Sequence, residues 1–230
     1  MKLSIVTTLY HSEEYIRDFH SRATAAARDL FADSFEIVFV NDGSPDDSLA
    51  SAIALAKHDS RLVVIDLSRN FGHHKAMMTG LSYARGDRIF LIDSDLEESP
   101  EWLGEFQDRL VSDNADMVYG VQVKRRGKWA ERVTGWMFYK LFRLLTGVSQ
   151  PDNISTARLM SRRYVDALLL HQEREVNIGG LWIITGFKQI AVDVKKLSNS
   201  ATTYTLGGKI SHFVNAITSF SSLPLVFVFY

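Results

Sequence analysis

The sequence predicts an α/β fold: a mostly parallel central sheet with helices on both faces. Three observations carry that expectation. Short apolar runs of strand length recur through the first half of the chain. Stretches of helical period separate them, the pattern of right-handed βαβ units. Each run then breaks into polar and turn residues, at the sheet edge where open α/β folds bind ligands.

In order, Leu3 to Thr7 is the first strand, and Ser12 is placed to cap a helix running to about Leu30. Phe35 to Val40 is the second strand, ending in Asn41-Asp42-Gly43-Ser44-Pro45, with Ser44 as N-cap and Pro45 at the first helical position. Leu62 to Leu67 is the third, and it exits into Ser68-Arg69-Asn70-Phe71-Gly72 before a helix to about Ala84. Arg88 to Ile92 is a fourth strand, too short for a helix, followed by Asp93, Asp95, Glu97 and Glu98 and then a helix opened by Ser99 and Pro100. Asp116 to Val121 is the fifth strand and Lys188 to Val194 a late one. No repeat or low-complexity segment interrupts this order.

A chain of 230 residues, 46% hydrophobic and 23% charged, suits one large domain with a real core. A net charge of -1 gives no general attraction to nucleic acid, and none is expected as a partner. With no cysteine there is neither disulfide nor thiolate metal site, a composition compatible with a reducing compartment. The N-terminus reads as a strand rather than a signal peptide. No stretch reaches the ~20 apolar residues needed to span a bilayer.

Polar groups at successive strand ends are of the kind a nucleotide needs. Asp42 can accept from a base or ribose, or can close an Asx turn on its own chain. Arg69 and Asn70 can meet base, ribose or phosphate, or simply face solvent. Four acidic groups after the fourth strand repel one another unless a cation sits among them. Hard oxygen ligands suit Mg2+ or Mn2+ with substrate phosphates completing the shell. The alternative is a solvated acidic turn that starts the next helix. His73 and His74, adjacent at a helix start, cannot comfortably share one metal and read as a satisfied surface pair.

Taken together, Val6-Thr-Thr-Leu-Tyr10 with Glu13, Val40-Asn-Asp-Gly-Ser-Pro45, Ser68-Arg-Asn-Phe-Gly72, Asp93-Ser-Asp-Leu96, Arg158-Leu-Met-Ser-Arg162 and Gly186-Phe-Lys188 resemble a family 2 glycosyltransferase. The likeness is to the branch that includes dolichol-phosphate-mannose-synthase-like and bactoprenol-glucosyltransferase-like enzymes, and it covers almost the whole chain. It implies a GT-A (Rossmann-like) fold, a UDP- or GDP-sugar donor, a divalent metal on the diphosphate, and inversion at the anomeric carbon. By that resemblance Thr8, Tyr10, Glu13 and Asp42 line the nucleoside pocket, and Arg69, Asn70, Lys75 and Ser94 add donor contacts. Asp93 and Asp95 flank the diphosphate and metal, with Glu97 a third candidate ligand where the branch often has Gln.

One departure bears on the chemistry. The branch usually reads Gly-Asp-Phe-Arg where this chain has Ser155-Thr156-Ala157-Arg158, so Thr156 stands at an acidic position and cannot act as a base. A sugar hydroxyl acceptor needs a positioned base, whereas a lipid phosphate is already an anion and needs alignment and charge neutralisation. The change leans toward a phosphate acceptor, or moves the base to Glu173 or Glu175.

The second half is expected to carry the acceptor side. Lys124 to Lys128 form a basic loop, and Trp129 to Leu145 has helical spacing. Arg125, Arg126 and Arg132 are candidates for a phosphate because guanidinium forks match its geometry, and Arg158 would support the floor of the site. Leu206, Ile210, Phe213, Val214, Ile217 and Phe220 form one helical stripe that can pack in a core or lie on a membrane, and the resemblance to the bactoprenol branch implies an amphipathic juxtamembrane helix leading into a membrane segment past Tyr230. The expected organisation is a catalytic domain over 1–200, with a nucleotide-sugar half (1–122) and an acceptor half (123–200), and a membrane-proximal segment over 201–230.

The expected activity is metal-dependent transfer of a sugar to polyprenyl phosphate at the cytoplasmic face of the inner membrane. Asp93 and Asp95 serve the leaving diphosphate, and the basic residues align the acceptor. Transfer to a sugar hydroxyl of a surface polysaccharide, with Glu173 or Glu175 as base, is the alternative enzyme. A nucleotidyltransferase is disfavoured because no Gly-rich, Lys-containing phosphate loop follows the first strand. A non-catalytic nucleotide-sugar-binding membrane protein is the alternative of another class, and a homo-oligomer is compatible with any of these.

Overall fold

The structure is a computed structural model that describes residues 1–122, 153–171 and 178–197. The expected helix over Trp129 to Leu145, the basic loop with Arg125, Arg126 and Arg132, the pair Glu173 and Glu175, and the apolar stripe beyond Leu206 lie outside the described residues.

Seven strands form one sheet: β1 (Leu3–Leu9), β2 (Phe35–Asn41), β3 (Leu62–Asp66), β4 (Arg88–Leu91), β5 (Met117–Gln122), β6 (Ile154–Ser161) and β7 (Gln189–Val194). Their order across the sheet is β3-β2-β1-β4-β6-β5-β7. The pairs β1–β2, β1–β4, β2–β3 and β5–β7 are parallel, while β6 runs antiparallel to both β4 and β5. The sheet is therefore mixed, six strands one way and one the other. Mixed sheets of this kind are common in large α/β folds.

The helices are α1 (Ile16–Phe31), α2 (Ser48–Ala56), α3 (His73–Tyr83), α4 (Trp102–Ser112), α5 (Arg162–Leu168) and α6 (Ile178–Ile184). Side chains alternate along the strands and build a core on each face. Ile5, Ile37, Phe39 and Phe90 meet Phe19 of α1, Ala52 of α2 and Phe106 of α4. Val6, Val38, Val40 and Leu91 meet Met77 and Leu81 of α3, Tyr164 and Leu168 of α5, and Leu181 of α6. Helix α3 lies very close to the sheet at Gly80, where a Cβ would fall 2.5 Å from Val6 Cγ1. That approach packs the second half of α3 against Val6 of β1 and Val40 of β2.

The four early strands agree with the expected runs to within two residues, but β6 is an addition. Its sequence, Ile154-Ser-Thr-Ala-Arg-Leu-Met-Ser161, carries a buried arginine and hydroxyls among its apolar side chains, so it lacks a clean strand pattern. Three helix starts also differ from expectation. Helix α1 begins at Ile16 because Ser12 is occupied elsewhere: its hydroxyl accepts from the Tyr10 amide and from the Ser94 hydroxyl. Helix α2 begins at Ser48, and the Ser44 hydroxyl instead donates to Asp46. Helix α4 begins at Trp102 rather than at Pro100. Among the described residues no helix is long and apolar enough to cross a membrane.

Candidate active site

The ends of β1, β2 and β4 and the start of β6 meet at one edge of the sheet, and the chain beyond β7 joins them. Two loops are locked together there first. Gly43 adopts φ +61 and sits so close to the next loop that a Cβ would lie 2.5 Å from the Asn70 amide nitrogen. Asp42 accepts hydrogen bonds from the Phe71 and Gly72 amides at 2.7 and 3.0 Å, supplying the start of α3 with an acceptor from another strand. Asp42, expected to face a nucleoside, is thus buried and fixes the loop that carries Arg69 and Asn70. Both of those are exposed, and the Arg69 guanidinium lies 4.6 Å from the centre of the Phe71 ring. Tyr10, 48% exposed just past β1, meets the His11 ring edge-on at 4.7 Å. Glu13 is exposed beside it, with its amide donating to Asp46, and Lys75 is half-buried in the first turn of α3.

The acidic turn follows β4. Ser94 is buried, and its hydroxyl donates to the Thr8 carbonyl at 3.0 Å and to Ser12, tying the exits of β1 and β4 together. Ser94, expected among the donor contacts, therefore acts inside the wall. Asp95 accepts from the Glu97 amide at 3.0 Å, and Leu96 between them adopts φ +59, closing a tight turn. His73, the first residue of α3, spans the cleft. Its Nδ1 lies 3.0 Å from Thr8 Oγ1 and its Nε2 lies 3.3 Å from Asp93 Oδ1. The expected surface pair is there, half exposed with both His73 nitrogens satisfied, but its partners Thr8 and Asp93 place His73 at the sheet edge of the site.

A second cation arrives from beyond β7. Lys196 Nζ lies 2.7 Å from Glu98 Oε1, the Thr156 amide donates to the same oxygen at 2.8 Å, and the Leu197 amide donates to the Glu97 carbonyl. Glu98 is 0% exposed, and its Oε2 has no hydrogen-bond partner among the described residues. Neither Lys196 nor the inward role of Glu98 was expected, since nothing local in the sequence links positions so far apart.

The electrostatics follow from this arrangement. Burial raises Asp95, and the charges of Asp93 and Glu97 push it further above its ordinary value against the Glu97 amide. Burial also raises Glu98, with the Asp93 charge adding to it, while Lys196 and the Thr156 amide oppose. For Asp93, burial is outweighed by His73, the Thr156 hydroxyl and the Lys196 charge, and the carboxyl stays below its usual range. His73 and Lys196 are both shifted up, burial being overcome by Asp93 in one case and by Glu98 in the other.

Asp93, Asp95 and Glu97 do not close into a cage: among the described residues no three His, Cys, Asp or Glu side chains converge on a metal position. Two neighbouring carboxylates, Asp93 held charged by its cations and Asp95 raised by burial and by its acidic neighbours, fit a dication of the Mg2+ or Mn2+ kind held by one or two carboxylates and by phosphate oxygens. Asp93 and Asp95 are the residues that would hold it.

Arg158 lies one step below the acidic turn. It pairs across the ladder with Leu91 of β4 and with Tyr119 of β5. It is 1% exposed, and its Nε and Nη2 donate to the carbonyls of Thr156 and Ser155 at 2.9 and 2.7 Å while its guanidinium covers the Trp182 ring. Burial pushes its pKa down to about 9, with Tyr164, Glu98 and Asp93 acting in the opposite sense.

The family model for glycosyl transferase family 2 matches residues 4–169. A protein of Mycobacterium tuberculosis (strain CDC 1551 / Oshkosh), named as a glycosyltransferase, is 50% identical over 230 residues, covering 100% of this chain and 67% of its own length. The prophage bactoprenol glucosyl transferase homolog of Escherichia coli (strain K12) is 33% identical over 229 residues, covering 98% of this chain and 74% of its own. Among solved structures, glucosyl-3-phosphoglycerate synthase from Mycobacterium tuberculosis in complex with Mn2+, uridine-diphosphate and phosphoglyceric acid shares the fold. It matches with a TM-score of 0.64 at 20% identity, over 95% of this chain and 78% of that one.

Proposed function

This chain belongs to glycosyl transferase family 2, and on that premise we propose that it moves a sugar from a UDP- or GDP-sugar to polyprenyl phosphate at the cytoplasmic face of the membrane. The observation that carries this reading is the acidic turn beyond β4, whose Asp93 is bridged by His73 to Thr8 at the mouth of the sheet. The likeness to a bactoprenol glucosyl transferase homolog supports the lipid acceptor.

In this reading Tyr10, Arg69 and Asn70 meet the nucleoside, on loops held by Asp42 and Gly43. Asp93 and Asp95 face the diphosphate through Mg2+ or Mn2+, which when bound offsets the charge that builds on the departing nucleoside diphosphate. An oxygen of the acceptor phosphate attacks the anomeric carbon, the bond from that carbon to the diphosphate oxygen breaks, and the configuration inverts. No proton is removed from the acceptor, in keeping with Thr156 at the position where a carboxylate is usual. His73 orients Asp93, and Lys196 with Thr156 keeps Glu98 from repelling the turn further.

The test is transfer of radiolabelled sugar from UDP- and GDP-sugars to polyprenyl phosphate with Mg2+ or Mn2+. A labelled lipid product from the native chain that disappears in Asp95→Ala supports the reading. Undiminished transfer by Asp95→Ala, or transfer to glycan hydroxyls alone, contradicts it.

A further inference from the structure

A cavity of about 300 Å3 opens on the sheet face that carries Asp93, between β5, β6 and α6, and is lined by Arg158, Trp182, Tyr119, Ile154, Ile183 and Phe187. Its position follows from the register. Leu91 pairs with Arg158, so Asp93, two residues beyond Leu91, and Thr156, two before Arg158, share the face of Arg158. Tyr119 pairs with Arg158 from the other side. The cavity thus lies along the same face as the acidic turn, on the side away from β1 and β2.

Two features of its lining lack what burial normally demands. Buried carboxylates elsewhere meet basic side chains: Glu36 meets Arg85, Asp116 meets Arg163 and Glu98 meets Lys196. Arg158, equally buried, has only backbone carbonyls and an aromatic face, and among the described residues no carboxylate forms an ion pair with it. Glu98 and Asp93 act on Arg158 only from a distance, and a buried cation without a direct ion pair is complementary to an anion. The second feature is Trp182 Nε1, an indole donor on a side chain 7% exposed that finds no acceptor among the described residues. The rest of the wall is aromatic and aliphatic.

We infer that this cavity seats the phosphate-bearing end of a prenyl phosphate acceptor, with the phosphate drawn to Arg158 and Trp182 Nε1 and the first isoprenoid carbons against Tyr119, Ile183 and Phe187. The inference rests on the polyprenyl phosphate reading given above and adds where the acceptor's head binds. A guanidinium and an indole N–H select an oxyanion, and the aromatic wall selects an apolar body next to it. Neither half of that chemistry alone fills the cavity.

The test uses the native 230-residue chain, tryptophan fluorescence and three probes: farnesyl phosphate, farnesol and inorganic phosphate. Saturable binding of farnesyl phosphate is expected, at least about tenfold tighter than either fragment. Ile183→Trp puts bulk into the cavity and leaves Arg158 in the sequence, and, read by calorimetry, it should weaken farnesyl phosphate at least about tenfold while UDP or GDP with Mn2+ binds as before. Trp182→Phe, which removes the indole donor and narrows the ring under Arg158, provides a second variant and should weaken it several-fold, read by calorimetry. Equal affinity for farnesol and farnesyl phosphate, or native farnesyl phosphate affinity in a folded Ile183→Trp protein, overturns the inference. Nucleotide binding by the native chain without farnesyl phosphate binding overturns the cavity assignment alone and leaves the donor reading standing. Farnesyl phosphate binding that Ile183→Trp removes, in a chain that binds no nucleotide, supports the cavity and sinks the donor reading.

Discussion

Lys196 reaches back from beyond β7 to Glu98, 2.7 Å away, and so ties the last described segment of the chain to the acidic turn. Glu98 is wholly buried, so the pair is a structural commitment more than a surface contact. Removing one member of a buried pair leaves the other charge uncompensated. Lys196→Met is therefore expected to cost about 3 kcal/mol, while Lys196→Met combined with Glu98→Gln recovers most of it. Urea unfolding of the three proteins measures this; equal stability of the single and double variants would contradict the pairing.

His73 should matter for ligand more than for fold. Its ring is about half exposed and bridges Thr8 and Asp93 across the cleft. His73→Ala is expected to weaken nucleotide binding in Mn2+ about tenfold, or about 1.4 kcal/mol, with little change in melting temperature. Calorimetric titration of UDP and GDP reads the first, and a thermal scan the second.

Gly43 sits at φ +61 against the Asn70 amide. Alanine there meets both a disfavoured backbone conformation and a clash with main-chain atoms that cannot swing away. Gly43→Ala is expected to destabilise by more than about 1 kcal/mol and to loosen the loop carrying Arg69 and Asn70. Chemical denaturation and nucleotide titration of the variant test the two effects.

Away from the site, Asp59 supplies a pH-dependent contribution. Arg61 holds its carboxyl down to about 2 through hydrogen bonds, against burial and with further help from the Arg61 charge and His20. A depressed carboxyl stabilises fully above its unfolded value and loses that contribution as pH falls through its folded one. The window is therefore about pH 4 to 2, with about 2 kcal/mol at stake. Asp59→Asn should lose that stability at pH 7 and unfold with a shallower acid limb, as measured by denaturation from pH 7 to 2.

The strands of the nucleotide half were legible because Leu3–Leu9, Phe35–Asn41, Leu62–Asp66 and Arg88–Leu91 are apolar runs with turn residues at their ends. Strand β6 was not, since Arg158 interrupts its apolar pattern, and what allows that arginine there is the Trp182 ring, distant in sequence, together with the carbonyls of Ser155 and Thr156 just before it in the strand. Serines misled the helix starts for a related reason. Ser12 and Ser44 look like caps, but their hydroxyls are used to join loops. The acidic turn was visible as a cluster, whereas its two cations were not. His73 becomes a partner of Asp93 only because Gly80 lets α3 approach the sheet, and Lys196 only because β7 ends beside β5.

The central claim is that Asp93 and Asp95 receive a dication together with a nucleoside diphosphate. Calorimetric titration of UDP and GDP into the native chain and into Asp95→Asn, with Mn2+ and with EDTA, tests it most directly. Nucleotide is expected to bind the native chain at least about tenfold tighter with Mn2+ than with EDTA, and Asp95→Asn to lose that difference. Equal affinity under both conditions, or a metal dependence undiminished in Asp95→Asn, would contradict it.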